Sequence, residues 1–295
     1  MTVRRIERLS GVSGLADRYD GYIVDLWGCV HDGVRPYPGA IACLQALKSA
    51  GKRIVLLSNA PRPRPVVQAQ LRDMGVVDTL YDGLMTSGEF TRRLLLSRDQ
   101  DATLAVAPWL TSLGTKALHI GGDHDLALFE GLGLELVETP EEADFVMNTG
   151  PDERRGKTEF EPYVAALDAA AARGLPMICA NPDMEVIRDG KRLICAGLLA
   201  KIYEQKNGLV HWIGKPFAAV YEPVLAMLDT PRDRVIGVGD ALATDVRGAA
   251  AAGVDALWIL GGIHKEKLGD DPALAQAEAD AQGLFPVASV PGLVW

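Results

Sequence analysis

Four short segments of this chain hold residue types that could do chemistry, and each follows an apolar run or stands just before a helical pattern. Asp25 closes Tyr22-Ile23-Val24 and leads into Leu26-Trp27-Gly28-Cys29, while Ser58-Asn59-Ala60 follows the run Arg53 to Leu57. Lys215-Pro216 follows Val210-His211-Trp212-Ile213-Gly214, and Asp240 and Asp245 follow Val235 to Gly239. Singly these are ordinary features. An Asp at a strand end commonly forms a turn, and Gly237-x-Gly239 lacks the third glycine of a dinucleotide fingerprint. Together they meet the demands of phosphoryl transfer to a carboxylate: a nucleophile, a hard cation to neutralise phosphate charge, and donors for the remaining oxygens. Asp25 could attack, and Asp25 and Asp240 could share Mg²⁺. The Ser58 hydroxyl and the N–H groups of Asn59 and Ala60 could hold phosphate oxygens. Lys215 would add a positive point charge, with Asp245 orienting it or the waters of the metal shell.

The elements that must position these groups are legible as an alternation. Tyr22 to Asp25, Arg53 to Leu57 and Val235 to Val238 read as short buried strands, each followed by a polar turn. Pro38 to Ala50, with Ile41, Leu44 and Leu47 on one face and Gly51 after it, reads as a helix. Thr244 to Ala252, closed by Gly253 and followed by the run Asp255 to Leu260, reads as a second helix and strand. Helical crossovers dictate parallel strands, so the fold class is α/β with a Rossmann-like parallel sheet. Ligands of such sheets gather at the C-terminal strand ends. Between the second and third segments lies a separate αβ pattern. It comprises Leu118 to Gly122, Leu134 to Val137, Asp144 to Asn148, a helix over Glu159 to Arg173, and Met177 to Asn181. The expected division is a core of residues 1–87 and 197–295 with an inserted cap of residues 88–196.

Bulk properties narrow the partners. The chain has 295 residues and a formal charge of -9, which disfavours nucleic acid and anionic membrane as general partners. An anionic substrate then needs local rescue by a metal, a lysine or helix N-termini. Cys29, Cys43, Cys179 and Cys195 lie far apart with no metal-ligand spacing; the first three, in or beside apolar runs, read as small core residues, and a reducing compartment is expected. With no long apolar segment the expected setting is the cytoplasm.

The order Asp25-x-Trp27-Gly28, Ser58-Asn59, Gly214-Lys215-Pro216 and Gly239-Asp240-x-x-x-Thr244-Asp245 resembles the four motifs of the haloacid dehalogenase-like hydrolases. The position of the insert, together with Tyr37-Pro38-Gly39-Ala40 and Asn181-Pro182-Asp183, is similar to the class IIA branch of sugar and nucleotide phosphatases. The resemblance implies a C2-type cap, Mg²⁺ dependence and an aspartyl-phosphate intermediate on Asp25. It also implies Asp25, the Trp27 carbonyl and Asp240 as metal ligands with Asp245 supporting them, and Ser58 and Lys215 on the phosphate. Asn181 and Asp183 would face a small phosphorylated metabolite, and homodimers are common in the branch.

One position departs from the pattern. Members usually carry Asp where Trp27 stands, to protonate the leaving oxygen and then activate water. An indole cannot transfer that proton near neutral pH, and general acid–base assistance is typically worth ~10²–10⁴ in rate. His31 and Asp32 are the titratable residues nearby in sequence, with a turn role as the alternative for His31. The expected function is a Mg²⁺-dependent phosphatase. The alternatives are a phosphotransferase, or a sensor that keeps the phosphate pocket without turnover. A complete set of Asp25, Ser58, Lys215, Asp240 and Asp245 favours catalysis, since binding requires no nucleophile.

Overall fold

The computed structural model describes residues 5–268 and 271–295; the first four residues of the expected core segment lie outside it. In chain order the strands are β1 (Glu7–Arg8), β2 (Gly21–Val24), β3 (Arg53–Ser58), β4 (Gly83–Thr86), β5 (Lys116–Ile120), β6 (Glu135–Val137) and β7 (Phe145–Asn148). They continue with β8 (Met177–Cys179), β9 (Glu185–Arg188), β10 (Lys191–Ile194), β11 (Val210–Trp212), β12 (Val235–Gly239), β13 (Asp255–Ile259) and β14 (Ala288–Val290). Seven strands form the larger sheet in the order β1-β14-β13-β12-β2-β3-β4, and every pair in it is parallel.

The sheet is covered on both faces, which is why its strands are continuous apolar runs. Alternation of side chains splits them between two clusters: Tyr22, Val24, Ile54 and Leu56 on one face, Ile23, Val55 and Leu57 on the other. From β2 the chain builds outward through β3 and β4 in one direction, and later through β12, β13 and β14 in the other. The strand order therefore reverses at the β2–β12 junction, where open α/β sheets place their ligands. Register fixes what meets there. Val24 is level with both Val238 and Leu56, so Asp25, Asp240 and Ser58 leave three neighbouring strands within one residue of the same height.

The helix expected over Pro38 to Ala50 spans Ala40–Ser49. The one expected over Thr244 to Ala252 begins earlier and differently, with a wide π-type turn at Leu242–Val246 before regular helix at Arg247–Ala251. The Ala241 carbonyl accepts from both the Asp245 and the Val246 N–H, at 2.9 and 3.3 Å, which opens the turn.

The insert forms a five-stranded parallel sheet, β11-β8-β7-β5-β6, and a two-stranded antiparallel hairpin, β9–β10. The division expected at residue 197 separates elements that pair and pack with one another. β11 pairs with β8, and the helix Ala196–Gln205 buries Leu199, Ala200 and Tyr203 in the same cluster as Tyr163 and Leu167. We accordingly place the end of the cap after Trp212. A short apolar run such as Val210–Trp212 carries no mark of which sheet edge it will join, so the sequence pattern alone assigned it to the core. No helix among the described residues is long and apolar enough to cross a membrane.

Candidate active site

Asp25 is held at its strand end by its own N–H, which donates to the Val238 carbonyl at 2.9 Å. The carboxylate is almost wholly buried, as are Ser58, Lys215, Asp240 and Asp245. Lys215 occupies the middle: its ammonium donates to Asp25 Oδ1, to Asp245 Oδ1 at 2.6 Å and to the Leu57 carbonyl at 3.2 Å. Burial by itself would lower the Lys215 pKa, but Asp245 and Asp25 outweigh it and hold the ammonium well above its ordinary value. Burial pushes the Asp25 carboxyl up, and the negative charges of Asp245 and Asp240 add to that while Lys215 opposes it. Burial and Asp245 likewise raise Asp240, to about 7.

The remaining expected residues take definite places. Asn59 braces the site: its Oδ1 accepts from the Lys215 N–H at 2.7 Å, and its Nδ2 donates to the Lys215 carbonyl at 3.0 Å and to Asp183 Oδ1 at 2.8 Å. It thus fixes the Lys215 backbone and ties the core to the cap. The Ala60 N–H donates to Ser58 Oγ at 3.2 Å. Asp245 spends both oxygens on positioning, accepting from Lys215 and, through Oδ2, from the Ala241 N–H at 3.0 Å. Asn181 turns back on its own loop, its Oδ1 accepting from the Asp183 N–H at 3.0 Å. Asp25, Trp27, Ser58, Asn59, Asp183, Lys215, Asp240 and Asp245 line one cavity of about 330 Å³, to which the cap hairpin adds Glu185, Val186, Ile187, Asp189 and Gly190. Asn181 and Arg188 border an adjoining cavity of about 130 Å³ instead, with Arg62, which pairs with Asp125 at 2.9 Å. Arg64 borders neither.

A cation site is consistent with the donors present. Asp25, Cys29 and Asp240 each offer a ligand atom, and these atoms lie within 4.8 Å of one another. Among the described residues no hydrogen bond reaches Asp25 Oδ2 or Asp240 Oδ1, and neither is among the buried side-chain atoms left without a partner, so both oxygens keep some exposure where their residues line the cavity. Carboxylate oxygens open to a shared cavity are ones a divalent cation could take as ligands.

Trp27 does something its sequence did not announce. Its indole N–H donates to the Ile187 carbonyl in β9 at 2.9 Å, across 160 residues, so the loop after Asp25 is hydrogen-bonded to the cap hairpin. The ring packs edge-on to His31, centroids 5.5 Å apart. His31 is buried, and its Nδ1 accepts from the Gly33 N–H at 3.0 Å. That is the turn role, and burial lowers its pKa to about 4. Asp32 Oδ1 is taken by the N–H groups of Val34 and Arg35. The hairpin and Cys29 were missed at the sequence level. The hairpin's signal was present in Asp189-Gly190, a turn dipeptide between alternating residues.

Comparison with known proteins agrees with this geometry. Residues 22–135 match a model described as haloacid dehalogenase-like hydrolase, and residues 212–281 match a second, HAD-hydrolase-like model. A crystal structure of a haloacid dehalogenase-like hydrolase from Brucella suis is 36% identical, with a TM-score of 0.81 over 97% of this chain and 100% of that one. The chain belongs to the haloacid dehalogenase-like hydrolase family. Among curated relatives, a 4-nitrophenylphosphatase of Schizosaccharomyces pombe is 25% identical over 85% of this chain and 87% of its own length. A 5'-nucleotidase of Bacillus subtilis is 25% identical over 86% of this chain and 92% of its own. The family and these relatives make the chain a hydrolase of the phosphatase kind, in the class IIA, nitrophenylphosphatase-like branch.

Proposed function

We propose that this hydrolase cleaves the phosphate monoester of a small metabolite, such as a sugar phosphate or nucleotide, through a phosphoryl group carried transiently on Asp25. The observation that carries the reading is Lys215 bridging Asp25 and Asp245 at a strand-order reversal, with Ser58 and Asp240 opening into the same cavity. In the first step an Asp25 oxygen forms a bond to phosphorus as the ester P–O bond breaks, and the leaving oxygen takes a proton. In the second, water attacks the acyl phosphate, restoring the Asp25 carboxylate and releasing inorganic phosphate. Lys215, Ser58 Oγ and the N–H of Asn59 hold the transferred oxygens. Asp25 and Asp240 would hold a hard divalent cation, Mg²⁺ by resemblance, with the Trp27 carbonyl as a further ligand. Bound there, it supplies charge neutralisation to carboxylates and phosphate. Asp245 keeps Lys215 aimed at Asp25.

With Trp27 engaged by Ile187, the usual acid is replaced by a group that closes the cap over the site. An alkoxide leaving group, as of a sugar phosphate or nucleotide, then departs slowly, and we infer either a preference for esters whose leaving group needs little protonation or a phosphoenzyme long-lived enough for transfer to an acceptor other than water. Asp183, Glu185 and Asp189 line the same cavity from the cap, and Asp32 lines it from the loop after Asp25.

The test is a panel of phosphorylated metabolites with Mg²⁺, assayed on wild type, Asp25→Asn and Trp27→Asp. Turnover by wild type and its loss in Asp25→Asn are expected. Retained turnover in Asp25→Asn would refute the covalent route. A wild type inert across the panel, with Trp27→Asp active, would favour the sensor reading.

A further inference from the structure

Resting on the reading of Asp25 and Asp240 as a cation site, we propose that Cys29 makes it a mixed sulfur–oxygen site that binds thiophilic divalent cations, Zn²⁺ or Cd²⁺, in competition with Mg²⁺. Cys29 is four residues beyond Asp25, and its Sγ lies within 4.8 Å of ligand oxygens from both Asp25 and Asp240. It arrives there because the loop turns tightly: the Leu26 carbonyl accepts from the N–H groups of Cys29, Val30 and His31, at 3.4, 2.8 and 3.0 Å. Gly28 permits the approach, since at its φ of +84° a Cβ would stand 2.1 Å from Asp240 Oδ2.

The thiol is 1% exposed, and among the described residues no hydrogen bond involves its sulfur. A buried thiol in an apolar run is ordinarily a small core residue, and Cys43 fits that description among Leu44, Leu47 and other aliphatic side chains. Cys29 belongs to the same apolar cluster, but its Sγ also stands within 4.8 Å of ligand oxygens of Asp25 and Asp240, each of which, among the described residues, has one oxygen that accepts no hydrogen bond. Two carboxylates with waters suit a hard cation, whereas an added thiolate shifts preference toward Zn²⁺ and its softer congeners. On binding, the S–H proton leaves to solvent and a metal–sulfur bond takes its place, with no change of oxidation state. The consequence is an enzyme supported by Mg²⁺ and occupied by trace Zn²⁺ or Cd²⁺ at the atoms its nucleophile needs.

The experiment uses the full chain, thiols reduced and metals stripped with chelator. Cd²⁺ is titrated while the thiolate-to-cadmium charge-transfer absorption is followed in the ultraviolet, and Mg²⁺ and Zn²⁺ affinities are measured by calorimetry. Expected are a band that saturates at one Cd²⁺ per chain, is bleached by excess Mg²⁺, and is absent from Cys29→Ser and Cys29→Ala. The same variants should lose at least ~10–100-fold in Zn²⁺ affinity, the loss that disturbing even an outer partner of a metal ligand causes. Their Mg²⁺ affinity should stay near that of wild type, while Asp240→Asn weakens both ions. A band that survives in Cys29→Ser, or one that excess Mg²⁺ does not bleach, would overturn the proposal. So would loss of Mg²⁺ binding in both cysteine variants, which would make Cys29 a structural residue. Mg²⁺-supported turnover in a wild type without the band overturns this inference alone; turnover in Asp25→Asn overturns the functional reading alone.

Discussion

Replacing Lys215 by Met removes the ammonium bonded to Asp25 and leaves the side chain's volume nearly intact. The Lys215 side chain is 4% exposed and those of Asp25 and Asp245 are each 8% exposed, so water cannot take over as counter-charge. Removing one partner of a buried pair typically costs ~3–5 kcal/mol, because the remaining charge is stranded. At about 2–4 °C per kcal/mol for a chain of this size class, the melting point should fall by roughly 6–20 °C. The pH dependence carries a sign. In wild type the Lys215 pKa is raised, so the pair's contribution is complete below the unfolded lysine value, about 10.4, and fades as pH rises through the higher folded value. In Lys215→Met the stranded Asp25 binds its proton more tightly in the folded than in the unfolded chain. The deficit therefore shrinks as pH falls through the raised folded pKa toward the unfolded value near 3.9. Denaturant unfolding followed by circular dichroism at pH 8 and pH 5, in chelator so that no cation compensates, gives both numbers. A deficit under about 1 kcal/mol at pH 8, the size of an exposed pair, or one that grows on acidification, would refute the electrostatic account.

Other perturbations test separate parts of the site. Trp27→Phe keeps the ring but removes the donor to Ile187; a loss of ~0.5–1.5 kcal/mol is expected, read as faster amide exchange across residues 185–194, and unchanged exchange there would rule out a cap contact. Gly33→Ala should displace Trp27, because at φ +89° a Cβ would lie 2.3 Å from the indole, and a shift in Trp27 fluorescence would report it. His31 should titrate by NMR near its depressed pKa of about 4. Its contribution to stability is complete above the unfolded value near 6.5 and is lost as pH falls toward about 4, worth ~3 kcal/mol, so His31→Asn should lose that acid-limb sensitivity. Alkyl phosphates should be turned over far more slowly than p-nitrophenyl phosphate; equal steady-state rates would show that proton delivery does not depend on the residue at position 27.

What the sequence determined by itself was whatever depends on neighbours a few residues away. The runs at Tyr22, Arg53 and Val235, with their polar turns, specified strands whose ends carry Asp25, Ser58 and Asp240, and helical crossovers made those strands parallel. That was enough to gather the candidate site side chains at one edge and to show that position 27 lacks an acid. Contacts made over long separations were decided only by the tertiary structure. Val210–Trp212 joins the cap sheet because its free partner is the edge of β8. Asn59 braces Lys215 across 156 residues, and Trp27 reaches Ile187 across 160. Asp245 is spent on Lys215 and Ala241, while Cys29, which reads as a core thiol, faces the carboxylates. Periodicity sets which face of an element is apolar, but which groups meet across the cleft depends on sheet order, register and the tightness of a single turn.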